Sequence, residues 1–96
     1  MSTLETIQGK RREILALARS HGASNVRVFG SVVRGTDDEQ SDVDLLVDLA
    51  QGRSLLDLGE LLTDLESLLE LDVDVVTAKG LRGRIRDRIL AEAQPL

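Results

Sequence analysis

The sequence contains no cysteine, tryptophan or tyrosine, and only one phenylalanine, one histidine and one proline: Phe29, His21 and Pro95. Without cysteine there is no disulfide and no thiolate zinc site. With His21 as the only imidazole, any metal must be held by carboxylates, which points to Mg²⁺ or Mn²⁺. One aromatic ring cannot supply the stacking platforms that grip single-stranded nucleic acid, so the core must be built from Leu and Val. Apolar runs are short, as in Leu45-Leu46-Val47, and none follows the basic start of the chain. Neither a membrane span nor a signal peptide is expected, and the reading is a soluble, cytoplasmic protein with no membrane partner.

What is present is ordinary for a folded chain. Of 96 residues, 42% are apolar and 30% charged, too hydrophobic a balance for disorder. The length allows one core, so residues 1–96 are expected to form a single domain. The net charge of −5 is unevenly spread: Asp37 to Asp74 holds 13 acids against Arg53 alone, whereas Lys79 to Arg88 holds five bases and one acid. These stretches should form opposite electrostatic poles.

Hydrophobic spacing predicts an amphipathic helix over residues 3–20, from Leu4, Ile7, Ile14, Leu17 and Ala18, with a stop at His21-Gly22. Asn25-Val26-Arg27-Val28-Phe29 alternates at period two and runs into Gly30-Ser31, the pattern of a strand ending in a glycine turn. Residues 35–41 have no apolar member and read as a solvated loop. In residues 42–49, Val43, Leu45, Val47 and Leu49 share one face, with Asp42, Asp44 and Asp48 on the other. Ser54 and Asp57 form an N-cap pair for a helix whose apolar face is Leu55, Leu58, Leu61, Leu62, Leu65, Leu68 and Leu69. Residues 71–77 alternate again, with Asp72 and Asp74 opposite Val73 and Val75, and a last helix is expected over about 80–92. This order predicts an α/β fold: a small mixed β-sheet with helices packed mainly on one face and the acidic face left open.

Two aspartates at i and i+2 on a strand lie on one face, about 6.5–7 Å apart at Cα. Asp42 and Asp44 can therefore converge, a spacing that suits a pair of divalent ions serving in-line phosphoryl or nucleotidyl transfer. A third carboxylate from a neighbouring strand would complete the site, and Asp74 or Asp72 could supply it. Taken alone, such aspartates more often mark a solvent-facing side. Gly30-Ser31 adds a second signal, because glycine permits close backbone approach and the serine offers a hydroxyl and N–H to a phosphate, with Arg34 as a nearby cation. On its own that turn is more often an ordinary helix cap.

Together, Gly30-Ser31-Val32-Val33-Arg34-Gly35, a polar loop and Ser41-Asp42-Val43-Asp44-Leu45-Leu46-Val47 closely resemble the G-S-x-x-R-G … S-D-x-D-L-x-V signature of the polymerase-β-like nucleotidyltransferases. The family's third acid sits in a V-D-hydrophobic-V context, which Val73-Asp74-Val75-Val76 matches, so the resemblance favours Asp74 over Asp72. Nearly the whole chain resembles the small stand-alone branch, the minimal nucleotidyltransferases. The resemblance implies that Gly30 and Ser31 hold the triphosphate of ATP, with Arg34 assisting the phosphates or structuring the loop. It implies that Asp42 and Asp44 bind two Mg²⁺ ions and that Asp74 serves the ion that activates an acceptor hydroxyl.

Members of that branch commonly pair with a HEPN-domain ribonuclease as antitoxin and toxin, and some transfer AMP from ATP to a tyrosine of the toxin. The favoured expectation is thus a protein adenylyltransferase antitoxin. The alternatives are an antitoxin that neutralises by binding alone, and nucleotidyl transfer to RNA or a small molecule. The acidic balance and missing aromatics argue against a free RNA substrate. With no tyrosine the chain cannot be its own tyrosyl acceptor. Arg82, Arg84, Arg86 and Arg88 read as a solvated helix side or a partner-docking face, His21 as a helix-end residue, and self-association or assembly with the partner both stay open.

Overall fold

The computed structural model describes residues 2–96. The elements are α1 (Thr3–Gly9), α2 (Arg11–Ser20), β1 (Ala23–Phe29), α3 (Ser31–Arg34), β2 (Val43–Leu49), α4 (Leu55–Leu69), β3 (Val73–Thr77), a 3₁₀ turn (Ala78–Gly80), α5 (Gly83–Glu92) and β4 (Gln94–Pro95). The four strands form one mixed sheet in the order β3-β2-β1-β4. β1 is antiparallel to β2 and to β4, while β2 and β3 run parallel. The parallel pair needs a crossover, and α4 supplies it.

The period-two segments pack as strands because one face of each is apolar. Val26 and Val28 of β1, Val43, Leu45 and Val47 of β2, and Val73 of β3 are buried in one cluster with Ile7, Ile14, Ala18, Leu61, Leu65 and Leu69 from the helices. Burying each such side chain contributes about 1.5–3 kcal/mol, enough to order a sheet whose other face is charged. α4 begins where expected: the Ser54 hydroxyl accepts the Leu56 N–H at 3.2 Å and the Asp57 carboxylate accepts the Ser54 N–H at 2.9 Å. The Ser54 N–H above all, helped by the Arg53 guanidinium, holds the Asp57 carboxyl below the usual carboxylate range against an upward push from desolvation.

Four expectations need correction. The helix over 3–20 is two helices, broken at Lys10, whose backbone (φ −107°, ψ 19°) caps both. Gly9 is a weak helix former, and the break lets the Lys10 ammonium reach the Leu68 carbonyl at 3.0 Å. Leu55 does not join the apolar face of α4; it is 82% exposed at the helix start. α5 starts at Gly83, after the 3₁₀ turn, and buries none of its residues, with Ile85 66% exposed. The acidic face is only partly open, because Phe29 and Leu46 lie on it in register with Asp44 and Arg27 and are buried. A fourth strand, β4, is also present; it pairs with the outer edge of β1 through Arg27↔Pro95 and Val28↔Gln94.

Candidate active site

The sheet register brings the candidate carboxylates together. Asp44 of β2 stands directly beside Asp74 of β3, about 4.8 Å away at Cα as neighbouring strands require. Asp42 lies one residue before β2, on the same face as Asp44. The loop that delivers it is tied by its own side chains: the Asp38 carboxylate accepts the Gln40 N–H at 2.9 Å and the Ser41 hydroxyl at 3.1 Å, and the Ser41 oxygen accepts the Asp38 N–H at 3.0 Å. The Thr3 hydroxyl donates to Asp37 at 2.7 Å, pinning the loop to α1. Asp72 precedes β3, and its carbonyl accepts the Val43 N–H at 2.8 Å.

Gly30 closes the site from the β1 side. Its backbone (φ 80°, ψ −155°) is one that L residues rarely adopt, and a Cβ there would collide with the Asp44 carboxylate. Glycine is thus required twice, by dihedral and by contact. Ser31 opens α3, and Gly35 ends it in the left-handed conformation (φ 74°, ψ 20°). The expected nucleotide residues Gly30, Ser31 and Arg34 and the expected carboxylates Asp42, Asp44 and Asp74 therefore flank one another, β1 and α3 on one side, β2 and β3 on the other.

The electrostatics are those of crowded acids. Burial first, then the charges of Asp74 and Asp42, push the Asp44 carboxyl up to about 6, with Arg34 pulling the other way. Arg34 cannot compensate the cluster fully, because its Nη1 is paired with Glu92 at 2.9 and 3.1 Å. Hard oxygen donors under mutual repulsion suit Mg²⁺. Among the described residues, however, no three such side chains are gathered closely enough to ligate one ion as they stand.

Glu92 is the residue sequence reasoning missed. Its carboxylate accepts the Gly30 N–H at 2.7 Å as well as the Arg34 guanidinium. Partial desolvation pushes this carboxyl up, but the Gly30 N–H and then Arg34 outweigh it and hold it below the usual range. No spacing rule links positions so far apart, and the only signal is an isolated acid following the arginine run.

Ser41 and Asp72, which adjoin the acidic residues, line a cavity of about 400 Å³ together with Glu39, Glu66, Glu70 and Leu71. Another of about 380 Å³ is lined by Asp48, Arg53, Thr77 and Lys79, at the carboxyl ends of β2 and β3, whereas the acidic triad sits near their amino ends. The carboxylates form a shelf on one face of the sheet, at the amino ends of β2 and β3. His21 lies on the α4 side, where its Nε2 meets Asp64 at 2.7 Å and its Nδ1 meets Glu60 at 3.6 Å. Among the described residues, no helix is long and apolar enough to cross a membrane.

Comparison with known proteins agrees with this geometry. The nucleotidyltransferase domain family matches residues 11–96. The protein adenylyltransferase MntA of Thermococcus cleftensis is 42% identical over 96 residues, covering 96% of this chain and 94% of that protein. A solved structure assigned as a minimal nucleotidyltransferase superposes with a TM-score of 0.88 at 49% identity, covering 100% of this chain and 97% of that one. A toxin–antitoxin crystal structure with AMP-PNP superposes at 0.74 with 26% identity, covering 88% of this chain and 69% of that one. With matched fold, matched sequence and the aspartates and glycine turn on one shelf, the chain belongs to the nucleotidyltransferase domain family, in its minimal polymerase-β-like branch, and is an enzyme of nucleotidyl transfer.

Proposed function

We propose that this protein is an antitoxin that transfers AMP from ATP to a hydroxyl, tyrosine foremost, of a HEPN-domain ribonuclease toxin. The observation that carries the reading is the juxtaposition of Asp42, Asp44 and Asp74 with the Gly30-Ser31 turn. Adenylyl transfer to protein is supported by the likeness to MntA of Thermococcus cleftensis, and a toxin partner by the likeness to a toxin–antitoxin structure holding AMP-PNP.

In this reading Ser31 and Arg34 bind and orient the triphosphate, and the glycine at position 30 lets its phosphates approach the Asp44 side of the shelf. Asp42 and Asp44 would hold divalent ions, and Asp74, on the far strand, would hold the ion nearest the acceptor. Held by these residues, Mg²⁺ would supply Lewis acidity and charge compensation for the phosphates. The chain's own contribution is alignment, since nucleotidyl transfer is accelerated chiefly by positioning and charge stabilisation.

The test is intact-mass spectrometry of the HEPN-domain protein from the same organism after incubation with this protein, ATP and Mg²⁺. A gain of one or more AMP masses, absent with the Asp42→Asn/Asp44→Asn double variant, is expected. A stable complex with no mass gain, and a double variant that still neutralises the toxin, would favour an antitoxin that acts by binding. Label appearing on RNA or a metabolite without the partner would reassign the acceptor.

A further inference from the structure

Glu92 stands 62 residues from Gly30 in the chain, yet its carboxylate accepts the Gly30 N–H at 2.7 Å. The same carboxylate receives Arg34 Nη1 through both oxygens, at 2.9 and 3.1 Å. Its side chain is only 21% exposed, against 44% for Arg34, so the acid is the more firmly seated partner. One residue thus ties together two members of the candidate nucleotide turn, and it comes from the last turn of a helix that buries none of its own residues.

The geometry points to Glu92 as a positioning residue for the nucleotide. An arginine carries five N–H donors on a long flexible stem. Glu92 engages it through Nη1 alone, which anchors that end of the guanidinium and leaves the Nη2 and Nε donors unused by Glu92. Charge-assisted contacts of this kind are shorter and more directional than neutral ones. At Gly30 the effect is complementary. The N–H is held by Glu92 while the Cα packs against the Asp44 carboxylate, so the turn is clamped between the C-terminal helix and β2. A triphosphate arriving at Arg34 and Ser31 then meets donors already aimed.

The inference rests on reading the shelf as a nucleotide site, and it makes a separable claim: Glu92 sets nucleotide affinity, and not the rate of transfer once ATP is bound. The opposite role is also physically defined. If the carboxylate instead filled the seat of a phosphate, its removal would tighten binding.

The experiment compares wild type, Glu92→Ala and Glu92→Gln by calorimetric binding of AMP-PNP with Mg²⁺, by kcat and KM for AMP transfer, and by thermal unfolding. Glu92→Ala is expected to weaken nucleotide binding and raise the KM for ATP about tenfold, the worth of a hydrogen bond to a charged group, with kcat changed by less than about twofold. Glu92→Gln, which keeps one acceptor oxygen, should lie between the two and serves alone if Glu92→Ala does not fold. Unchanged or tighter nucleotide binding in a folded variant overturns the proposal, as does an equal fall in kcat without a KM change. A wild-type protein that binds no nucleotide overturns the functional reading itself, and this proposal with it.

Discussion

The carboxylate of Asp44 packs directly on the Cα of Gly30, so the central acid of the shelf and the glycine of the turn occupy space that only a missing side chain leaves free. Gly30→Ala places a methyl group in that space and forces an alanine into a φ of 80°. The variant is expected to lose about 1–3 kcal/mol of stability, the cost of strain at such a position, and to lose AMP transfer because Asp44 is displaced. Urea unfolding and the mass-shift assay check the two effects. A stable, active variant would show that the turn relaxes away from β2.

Asp44 also links the site to stability. Its folded-state carboxyl is raised to about 6 from the ordinary 3.8, by burial and then by Asp74 and Asp42. The native state therefore binds this proton more tightly than the unfolded chain. Asp44's contribution is fully present below pH 3.8 and is lost as pH rises through about 6. Asp44→Asn removes the charge, so without metal it should be more stable than wild type at pH 7.5, by about 1 kcal/mol after allowing for solvent screening of a half-buried group. The advantage should vanish near pH 4. Thermal unfolding at the two pH values decides it: an equal difference at both would assign the gain to packing.

Much of this site was legible because its parts are local. Asp42 and Asp44 share a face by strand periodicity, the Gly30-Ser31 turn follows an alternating run, and Ser54 with Asp57 announces α4; each is a rule about residues within a few positions of one another. What was not legible depends on distant partners. The apolar spacing stays in phase across Gly9 and Lys10, so nothing in it separates α1 from α2; the Lys10 contact to the Leu68 carbonyl does. β4 is two residues long and contains Pro95, a poor strand former that is tolerated here on an outer edge. Glu92 is an unremarkable helix-end acid until the chain has folded back onto β1.

Glu70 carries backbone strain at the end of α4. It caps the end of α4 in the left-handed conformation (φ 55°, ψ 37°), donating its N–H to the Glu66 carbonyl at 2.8 Å. Glycine adopts that conformation without the steric penalty of a Cβ, though it loses more chain entropy on folding. Glu70→Gly should therefore stabilise the protein by about 0.5–1 kcal/mol. Chemical denaturation measures this directly. A destabilised variant would mean that the Glu70 side chain makes a contribution its exposure conceals.

Asp74 and Asp72 have the same parity, and the strand register separates them as the V-D-hydrophobic-V context of Asp74 does. Asp74 stands beside Asp44 within β3, and its charge is felt there; Asp72 lies before the strand and contributes its carbonyl, not its carboxylate, to the pairing with Val43. An acid that serves the acceptor side must share the shelf with Asp44. Asp74→Asn is therefore expected to lower kcat by about 10²–10³-fold, the usual cost of removing one group that stabilises transition-state charge. Asp72→Asn leaves the backbone bond to Val43 intact and should change kcat by less than about twofold, as surface substitutions away from a site usually do. If the two variants lose activity equally, both carboxylates enter the reaction, and β2 and β3 must shift when nucleotide binds. If only Asp72→Asn is inactive, the third acid is Asp72, and its side chain swings in from the end of the sheet.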